Sequence, residues 1–337
     1  MAIFILRFVI EISSRIINIV AAKNYNIIII LFKKIILLKQ NVKIQARGKK
    51  MNKVKIFGDS TLDLSKELCA EYDISIVPLT ILLGGTSYKD GEEIQPHQIF
   101  EHFNKHKELP KTAAINSEIY KDYWKPFLDE GYDIVHFNIS GEMSTCHSNA
   151  VNAANQIGDD RVQVVDTRNL STGSALLALY AADLVKQGLS AKEIKEKCVA
   201  RTGAVQASFV IDRLNYLYKG GRCSSLALIA ATTLSLKPSI KVKDGKMITG
   251  KKYMGKLNAV LLKYAKDIVA EFNNPDYTRV FVTHTETPSE YVKEVVDYVK
   301  TLPFKQVYET EAGSTVSSHC GPHTLGVLFI NDGGDKQ

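Results

Sequence analysis

In the first part of the chain, short apolar segments of strand length alternate with longer segments whose apolar residues recur at helical spacing. The strand-like segments are rich in β-branched and aromatic residues and cover residues 53–58, 74–83, 132–139 and 161–166. One helical segment leads up to residue 72, one begins at Ser117 after a loop over 109–117, and the others cover 96–107, 144–154, 170–186 and 190–201. This βαβ order with short connections predicts a parallel sheet covered by helices.

After Gly203 the pattern changes to strands joined by hairpins and mixed with helices. Strands are predicted at 207–211, 238–242, 247–254, 279–285, 306–310 and 326–330, helices at 213–218, 257–272 and 289–302, and an apolar run at 226–236. Asp244-Gly245 is typical of a tight hairpin turn between two of these strands. We therefore predict an α/β protein with a parallel-sheet domain over 51–203 and an α+β domain over 204–335.

The first fifty residues differ from the rest of the chain in charge. The 337 residues carry a formal net charge of +7, but residues 1–50 contain ten Lys or Arg and one acidic residue, Glu11. The other 33 basic and 35 acidic residues give a net charge of −2, which does not indicate nucleic-acid binding. No stretch of 1–50 has the roughly 18 apolar residues that a membrane-spanning helix needs, although a basic amphipathic anchor making transient contact with a membrane surface stays open.

We favour Met51 as the start of translation. Residues 47–51 read Arg-Gly-Lys-Lys-Met, which AGG-GGA-AAA-AAA-ATG would encode, a ribosome-binding site followed by a start codon. The Ile, Lys and Asn richness of 1–50 is typical of translated AT-rich non-coding DNA. On this hypothesis the segment 1–50 is an incorrectly assigned or disordered addition.

Several common chemistries are excluded by motif. The five cysteines contain no C-x-x-C pair, so we expect no metal or redox site and reduced thiols in a cytoplasmic protein. His102 and His106 share a helix face but lack the glutamate of H-E-x-x-H, which excludes a zinc protease. The glycines Gly220 and Gly221 are not followed by the Lys-Ser/Thr of a Walker motif, so no nucleotide cofactor is predicted.

One strand-to-helix turn carries residues suited to binding an anion. Residues 136–150 read HFNISGEMSTCHSNA, in which Ser144 occupies the expected N-cap of the following helix. The free backbone N–H groups and the dipole of a helix start favour an anionic head group there. The alternative is that Ser144 only caps the helix. Asp59 and Ser60 end the first strand, where α/β sheets bind ligands, but they also fit a simple capping turn.

Taken together and in order, a set of short motifs resembles the DegV family of bacterial fatty-acid-binding proteins over residues 53–331. The motifs are Asp59-Ser60-Thr61 with Asp63-Leu64, Val77-Pro78-Leu79, Tyr88-x-Asp90-Gly91, Thr112, Ile139-Ser140 with Ser144, Val164-Val165-Asp166-Thr167, Leu214-x-x-Leu217-x-Lys219-Gly220-Gly221-Arg222, Lys237-Pro238, Asp244-Gly245-Lys246 and His319-x-Gly321-Pro322. The resemblance implies a two-domain α/β architecture with a long-chain fatty acid bound between the domains. It also implies a partner fatty acid kinase that phosphorylates the bound carboxylate, so the chain itself is no enzyme and needs no cofactor.

The resemblance also implies which residues hold the carboxylate. The family's threonine, serine and histidine ligands fall on Thr112, Ser144 and His319. We assign a supporting or pocket-lining role to a further set: Asp59, Ser60, Thr61, Arg222 and His284.

The chain departs from the family's motifs near each of the three ligands. The loop at Thr112 continues Ala-Ala-Ile-Asn, the turn at Ser144 lacks its glycine, and the last loop ends in His323. Met254 stands where the family has an arginine linked to the kinase interaction. Two alternatives therefore stay open: a lipid carrier or buffer without a kinase, and, more remotely, a serine hydrolase that uses Ser144, although Ser144 is not in a G-x-S-x-G motif.

Overall fold

The computed structural model describes residues 34, 52–158, 160–223, 225 and 236–334. The predicted addition over 1–50 lies outside the described residues except for Lys34. Met51, the predicted start, and most of the apolar run at 226–236 also lie outside them.

The described secondary structure follows the predicted order closely. Up to residue 201 it comprises β1 (Val54–Asp59), α1 (Lys66–Glu71), β2 (Ile74–Val77), β3 (Thr80–Leu83), β4 (Thr86–Lys89), α2 (Pro96–His106), β5 (Lys111–Ala113), α3 (Ser117–Asp129), β6 (Asp133–Asn138), α4 (Cys146–Ile157), β7 (Val162–Asp166), α5 (Ser171–Lys186) and α6 (Ala191–Arg201). It continues with β8 (Val205–Gln206), β9 (Ser208–Val210), α7 (Leu214–Gly220), β10 (Leu236–Lys243), β11 (Lys246–Met254), α8 (Leu257–Glu271), β12 (Arg279–Thr285), α9 (Ser289–Lys300), β13 (Gln306–Glu311), α10 (Ser314–Cys320) and β14 (Thr324–Ile330).

The predicted parallel sheet is confirmed. Its strand order is β2-β1-β6-β7, and all its neighbours are parallel. Side chains alternate between its faces: Ile56 packs with the alanine-rich helix α5, whereas Phe57 packs with Tyr120 and Trp124 of α3. Because the strands are parallel, β1, β6 and β7 all end at the same edge, and the turns that follow them are neighbours.

Two predictions in this first part were wrong in detail. The strand predicted at 74–83 is broken at Pro78, so that β2 stays in the parallel sheet while β3 joins an antiparallel sheet of order β4-β3-β5. Proline has no N–H to donate to a continuing ladder, which explains the break. The stretch 109–117, predicted as a loop, contains β5, and Thr112 of β5 lies opposite Ile81 of β3.

Two predicted helix caps are displaced by one residue. Helix α3 is capped by Asn116, whose side chain accepts the Ile119 N–H at 3.0 Å, rather than by Ser117. Helix α4 begins after Thr145, one residue beyond the predicted cap, although the hydroxyl of Ser144 still accepts the Cys146 N–H at 3.2 Å. Ser144 therefore lies in the turn before the helix, with its hydroxyl at the helix start.

The second part is built on a mixed sheet of order β11-β10-β9-β14-β12-β13, with β8 paired to β14. The predicted hairpin at Asp244-Gly245 is confirmed between β10 and β11. Both turn residues have positive φ, 52° and 81°, as a tight hairpin turn of this kind requires. Gly203 falls in a short 3-10 turn between α6 and β8, and the division into two domains there stays a prediction.

Helix α10, which carries His319, was not predicted. Its sequence, STVSSHC, is short and rich in serine and β-branched residues with low helix propensity. Tertiary hydrogen bonds hold its start: the buried carboxylates of Asp63 and Asp90 accept the N–H groups of Gly313 and Ser314 at 2.8 and 2.9 Å. None of the described helices is both long and apolar enough to cross a bilayer.

Candidate functional site

A cavity of about 410 Å³ brings together residues that are far apart in sequence. Thr112 comes from β5, Ser144 from the turn between β6 and α4, and His319 from α10, and all three line this cavity together with Arg222. The apolar part of its wall includes Leu79, Ile139, Leu170, Met247, Val316 and Cys320. The structure thus places three of the predicted ligand residues and one supporting residue around one space.

His319 is the most constrained polar group of the cavity wall. Its Nε2 lies 3.0 Å from the hydroxyl oxygen of Thr112, whereas its Nδ1 is buried and has no partner among the described residues. Burial lowers the pKa of its imidazole to about 4, and the positive charge of Arg222 acts in the same direction. The imidazole is therefore neutral at neutral pH and can offer one N–H to a ligand.

The position of the His319 ring depends on a glycine of helix α7. A Cβ added to Gly220, at the end of α7, would lie 2.5 Å from Nδ1 of His319. Real Cβ atoms do not approach other atoms so closely, so only glycine leaves room for this ring. Arg222, two residues later, donates to the Gly220 carbonyl at 2.7 Å and is exposed.

The turn that carries Ser144 is held by the hairpin of the second sheet. The hydroxyl of Ser140 donates to the carbonyl of Gly245 at 2.7 Å, and the Ser144 N–H donates to the Ser140 carbonyl at 3.1 Å. At the rim, Glu142 pairs with Lys246 at 3.2 Å. The β10–β11 hairpin therefore fixes the wall on which Ser144 lies, and Met247 extends that wall.

Asp59 does not line the cavity but is hydrogen-bonded to a residue that does. Its fully buried carboxylate accepts hydrogen bonds from Tyr120 (2.8 Å), His136 (3.0 Å), Asn138 (3.1 Å) and the N–H of Ile139 (3.1 Å). Since Ile139 lies on the cavity wall, Asp59 anchors the end of β6 where the turn to Ser144 begins.

Ser60 and Thr61 also lie away from the cavity. Ser60 donates to Asp90 at 2.8 Å and accepts the Leu79 N–H at 3.1 Å, so it ties β1 to the start of β3. The hydroxyl of Thr61 is buried and has no partner among the described residues. Ser60 therefore has a local structural role, whereas the side chain of Asp59 makes no capping hydrogen bond to the short 3-10 turn that follows it.

His284 borders a different, smaller space. A cavity of about 30 Å³ touches His284 and shares Leu170, Val316 and Cys320 with the larger one. The neighbours of His284 in β12 alternate between faces: Phe281 packs towards α5, while Val280 and Val282 pack towards α8 and α9. His284 falls on the Val282 face, where its Nε2 lies 3.8 Å from Glu309, so its ring is directed away from the cavity side of the sheet.

Sequence reasoning missed three polar residues of the cavity wall, Glu142, Thr145 and Thr315, and of these Thr315 is buried. Thr315 lies on α10 one turn before His319, and its side chain is 5% exposed. The signal that could have found it is the i, i+4 spacing to His319, but that spacing has meaning only in a helix, and α10 was not predicted.

Comparison with known proteins supports the resemblance drawn from the motifs. A family model described as uncharacterised proteins of the DegV family matches residues 53–332. A DegV domain-containing protein of Clostridium acetobutylicum is 30% identical over 282 residues, which cover 83% of this chain and 99% of the relative.

Solved structures also support the resemblance to the DegV family. A fatty-acid-binding DegV family protein from Thermus thermophilus matches with a TM-score of 0.75 and 26% identity, covering 83% of this chain and 99% of that one. A stearic-acid-binding protein from Eubacterium ventriosum matches with a TM-score of 0.73 and 28% identity, covering 82% and 98%. The predicted family and its α/β architecture are confirmed.

Proposed function

This chain belongs to the DegV family, and from that membership and the geometry of its cavity we propose that it binds a long-chain fatty acid by the carboxylate. One observation carries the proposal: Thr112, Ser144 and His319, from three separate segments, line one cavity with an apolar wall. Solved relatives at 26 and 28% identity are described as fatty-acid-binding and stearic-acid-binding proteins.

The energetics of an acyl chain fit such a cavity. A sixteen-carbon acid has about 14 methylenes at roughly 0.8 kcal/mol each, so burial supplies at most about 11 kcal/mol, from which association and ordering subtract. An unpaired buried carboxylate would cost several kcal/mol. The two hydroxyls, the neutral imidazole of His319 and the helix start after Ser144 offset that cost by hydrogen bonding.

The described cavity wall holds one cation, Arg222, and its place suits a ligand that must remain reactive. Among the described lining residues Arg222 is the one arginine, and its guanidinium donates to the Gly220 carbonyl. A bidentate arginine on the carboxylate would compete with transfer of a phosphoryl group to it. We therefore propose further that the protein presents its bound carboxylate to a partner fatty acid kinase.

Native mass spectrometry of the protein purified from its host tests the binding proposal. We expect one fatty acid per chain, and we expect Ser144→Ala to lose most of it because a head-group donor is removed. Ser148→Ala is the matched control, since Ser148 is an exposed serine of the same helix whose hydroxyl donates to the Thr145 carbonyl. Equal lipid content in the two variants, or no lipid in the wild type after incubation with fatty acids, would count against the proposal.

An acyl-phosphate assay with a cognate kinase separates presentation from simple carriage. Met254, at the end of the edge strand β11, is 73% exposed and stands where the resemblance leads us to expect arginine. If the wild type yields acyl phosphate, presentation is supported. If only Met254→Arg does, the natural protein is a carrier or buffer.

The serine hydrolase alternative has less support. His319 is bonded to Thr112, and no hydrogen bond joins it to Ser144 in the part of the chain that the structure describes. A hydroxyl nucleophile needs a base within hydrogen-bonding reach. Hydrolysis of a generic ester panel by the wild type, lost in Ser144→Ala, would restore this alternative.

A further inference from the structure

Two pairs of side chains on helix α10, each four residues apart, border the cavities in different ways. Thr315 and His319, four residues apart, line only the larger cavity, whereas Val316 and Cys320 border both the larger cavity and the small one of about 30 Å³. Residues four apart lie on one face of a helix. One stripe is therefore polar and faces the head-group space, and the other is apolar and continues towards the small cavity.

The hydroxyl of Thr315 stands apart from the other hydroxyls of this helix. Ser314, Ser317 and Ser318 each donate to a backbone carbonyl, those of Ile94 (3.0 Å), Ala312 (3.0 Å) and Ser314 (2.6 Å). The Thr315 oxygen is equally buried and has no hydrogen-bond partner among the described residues. Buried hydroxyls nearly always form a hydrogen bond, because a buried hydroxyl without one is costly. Thr315 reaches the cavity wall, but its oxygen has almost no accessible surface in this rotamer. Rotation about χ1, which a helical threonine adopts in two states, would turn the hydroxyl towards a partner inside the cavity and satisfy it there.

We propose, building on the proposed fatty-acid function, that Thr315 binds a hydroxyl carried by the acyl chain next to its carboxylate, so that β-hydroxy fatty acids are preferred ligands. The spacing supports this position. Four residues of helix rise by about 6 Å, and each hydrogen bond spans about 3 Å. A ligand whose carboxylate meets His319 therefore reaches Thr315 with a group on its first few carbons.

The threonine hydroxyls at the small cavity are not free to bind a hydroxyl on the tail of the ligand. The threonines of the small cavity already have partners: Thr285 donates to the Gly321 carbonyl (2.5 Å), Thr324 to the Cys320 carbonyl (3.0 Å), and Thr283 is bonded to Thr172 (2.6 Å) and Thr310 (3.0 Å). The one unpartnered side-chain atom among the described residues that line the small cavity is Nδ1 of His284, whose ring is directed away from the cavity side of the sheet. A hydroxyl at the tail would therefore lose its water without gaining a bond from these threonines. The preference should therefore depend on the position of the hydroxyl.

Calorimetric titration with three ligands of equal length tests the proposal: palmitic acid, β-hydroxypalmitic acid and ω-hydroxypalmitic acid. We expect the wild type to bind the β-hydroxy acid about tenfold more tightly than palmitic acid, the gain of about one good hydrogen bond, and the ω-hydroxy acid more weakly. Thr315→Val, which keeps the shape of the side chain, should abolish the preference while changing palmitic acid affinity by less than about threefold. Thr315→Ser should restore it.

Thr61→Val is the matched control, because Thr61 is another buried threonine without a partner among the described residues but lies outside the cavity. It should keep the wild-type preference. If palmitic acid binds and the β-hydroxy acid gains nothing, or if Thr315→Val retains the preference, Thr315 holds only water and this inference is overturned while the fatty-acid function stands. Failure of all three acids to bind would overturn both.

Discussion

The chain contains two clusters of hydrogen-bond donors built from similar side chains. One cluster surrounds a carboxylate of the chain itself, and the other surrounds a cavity. In the first, Tyr120, His136, Asn138 and a backbone N–H surround the carboxylate of Asp59, and the whole group is buried. In the second, which we call the cavity wall donors, Thr112, Ser144, Thr315 and His319 surround a cavity. One described acidic residue borders that cavity, Glu142 at its rim, and it is paired with Lys246.

The comparison teaches how this protein solvates a buried carboxylate. Around Asp59 it uses a phenol, an imidazole, an amide and a main-chain N–H, with no lysine or arginine among them. The indole of Trp124 donates to Nδ1 of His136 at 3.1 Å, which leaves the other ring nitrogen to donate to Asp59. The cavity wall donors repeat this chemistry around a space large enough for a ligand, and under the proposed function the acid that they bind comes from outside the chain.

The largest expected effect comes from removing the Asp59 carboxylate from the first cluster. Asp59→Ala removes the acceptor of the Tyr120 hydroxyl, the His136 ring and the Ile139 N–H, whereas the Asn138 amide still donates to the Tyr120 oxygen at 3.0 Å. We expect the free energy of unfolding to fall by about 3 to 5 kcal/mol, measured by urea titration. Asp59→Asn keeps the shape of the side chain and one acceptor oxygen, so it should lower the free energy of unfolding by less. By contrast, Ser144→Ala should change stability by under about 1 kcal/mol because its cluster is open. Similar losses for Asp59→Ala and Ser144→Ala would break the comparison.

The next effect is a dependence of stability on pH that belongs to His319. Burial lowers the pKa of this imidazole from 6.5 to about 4. Between these values the unfolded chain binds a proton that the folded chain does not, so stability falls as pH falls through this window. We expect a loss of about 2 kcal/mol between pH 7 and pH 5 that is missing in His319→Gln, so that subtracting the two profiles removes the carboxylates that titrate in both. Identical slopes in the two proteins would show that the ring is not held in its buried, neutral state.

A smaller effect should follow from crowding the His319 ring. Gly220→Ala places a methyl 2.5 Å from Nδ1, and overpacking of this kind costs about 1 to 3 kcal/mol. Because the ring must move, fatty acid affinity should drop about tenfold or more in a calorimetric titration. Gly203→Ala is the control, since a Cβ there would meet nothing within 4 Å. Unchanged affinity in Gly220→Ala would mean that the ring position does not matter for binding.

The spacing of apolar residues along the chain predicted most of the fold, because that spacing follows directly from which side of each helix or strand is buried. The parallel sheet, the long helix α5 and the Asp244-Gly245 hairpin each have a local pattern that tertiary contacts reinforce. The failures are those where distant residues decide. Pro78 redirects a strand into another sheet, and helix α10 is held at its start by Asp63 and Asp90 from the other part of the chain.

The candidate site was predicted unevenly for the same reason. Thr112, Ser144, His319 and Arg222 could be named from motif resemblance, and they line one cavity. Which of the supporting residues face that cavity depends on side-chain direction, and sequence does not give it for Asp59 or His284. Thr315 could not be named without α10, since only a helical turn places it beside His319.

The smallest expected effect concerns the charge at the cavity rim. The Glu142 carboxylate is 44% exposed and pairs with Lys246 at 3.2 Å, so this surface ion pair contributes little to stability. Its negative charge still opposes an incoming carboxylate, and Glu142→Gln should raise fatty acid affinity by about two- to threefold at low ionic strength. Glu118→Gln, which removes the equivalent partner of Lys121 on α3, should change nothing.

The gain in Glu142→Gln should vanish at about 1 M salt, where screening acts within about 3 Å. A gain that persists in high salt would have to come from a change of shape rather than of charge. A loss of affinity in Glu142→Gln would place Glu142 among the ligand's hydrogen-bonding partners, as an acceptor for a protonated head group. The contrast between a cluster that encloses its own acid and a cluster that awaits one would then no longer hold.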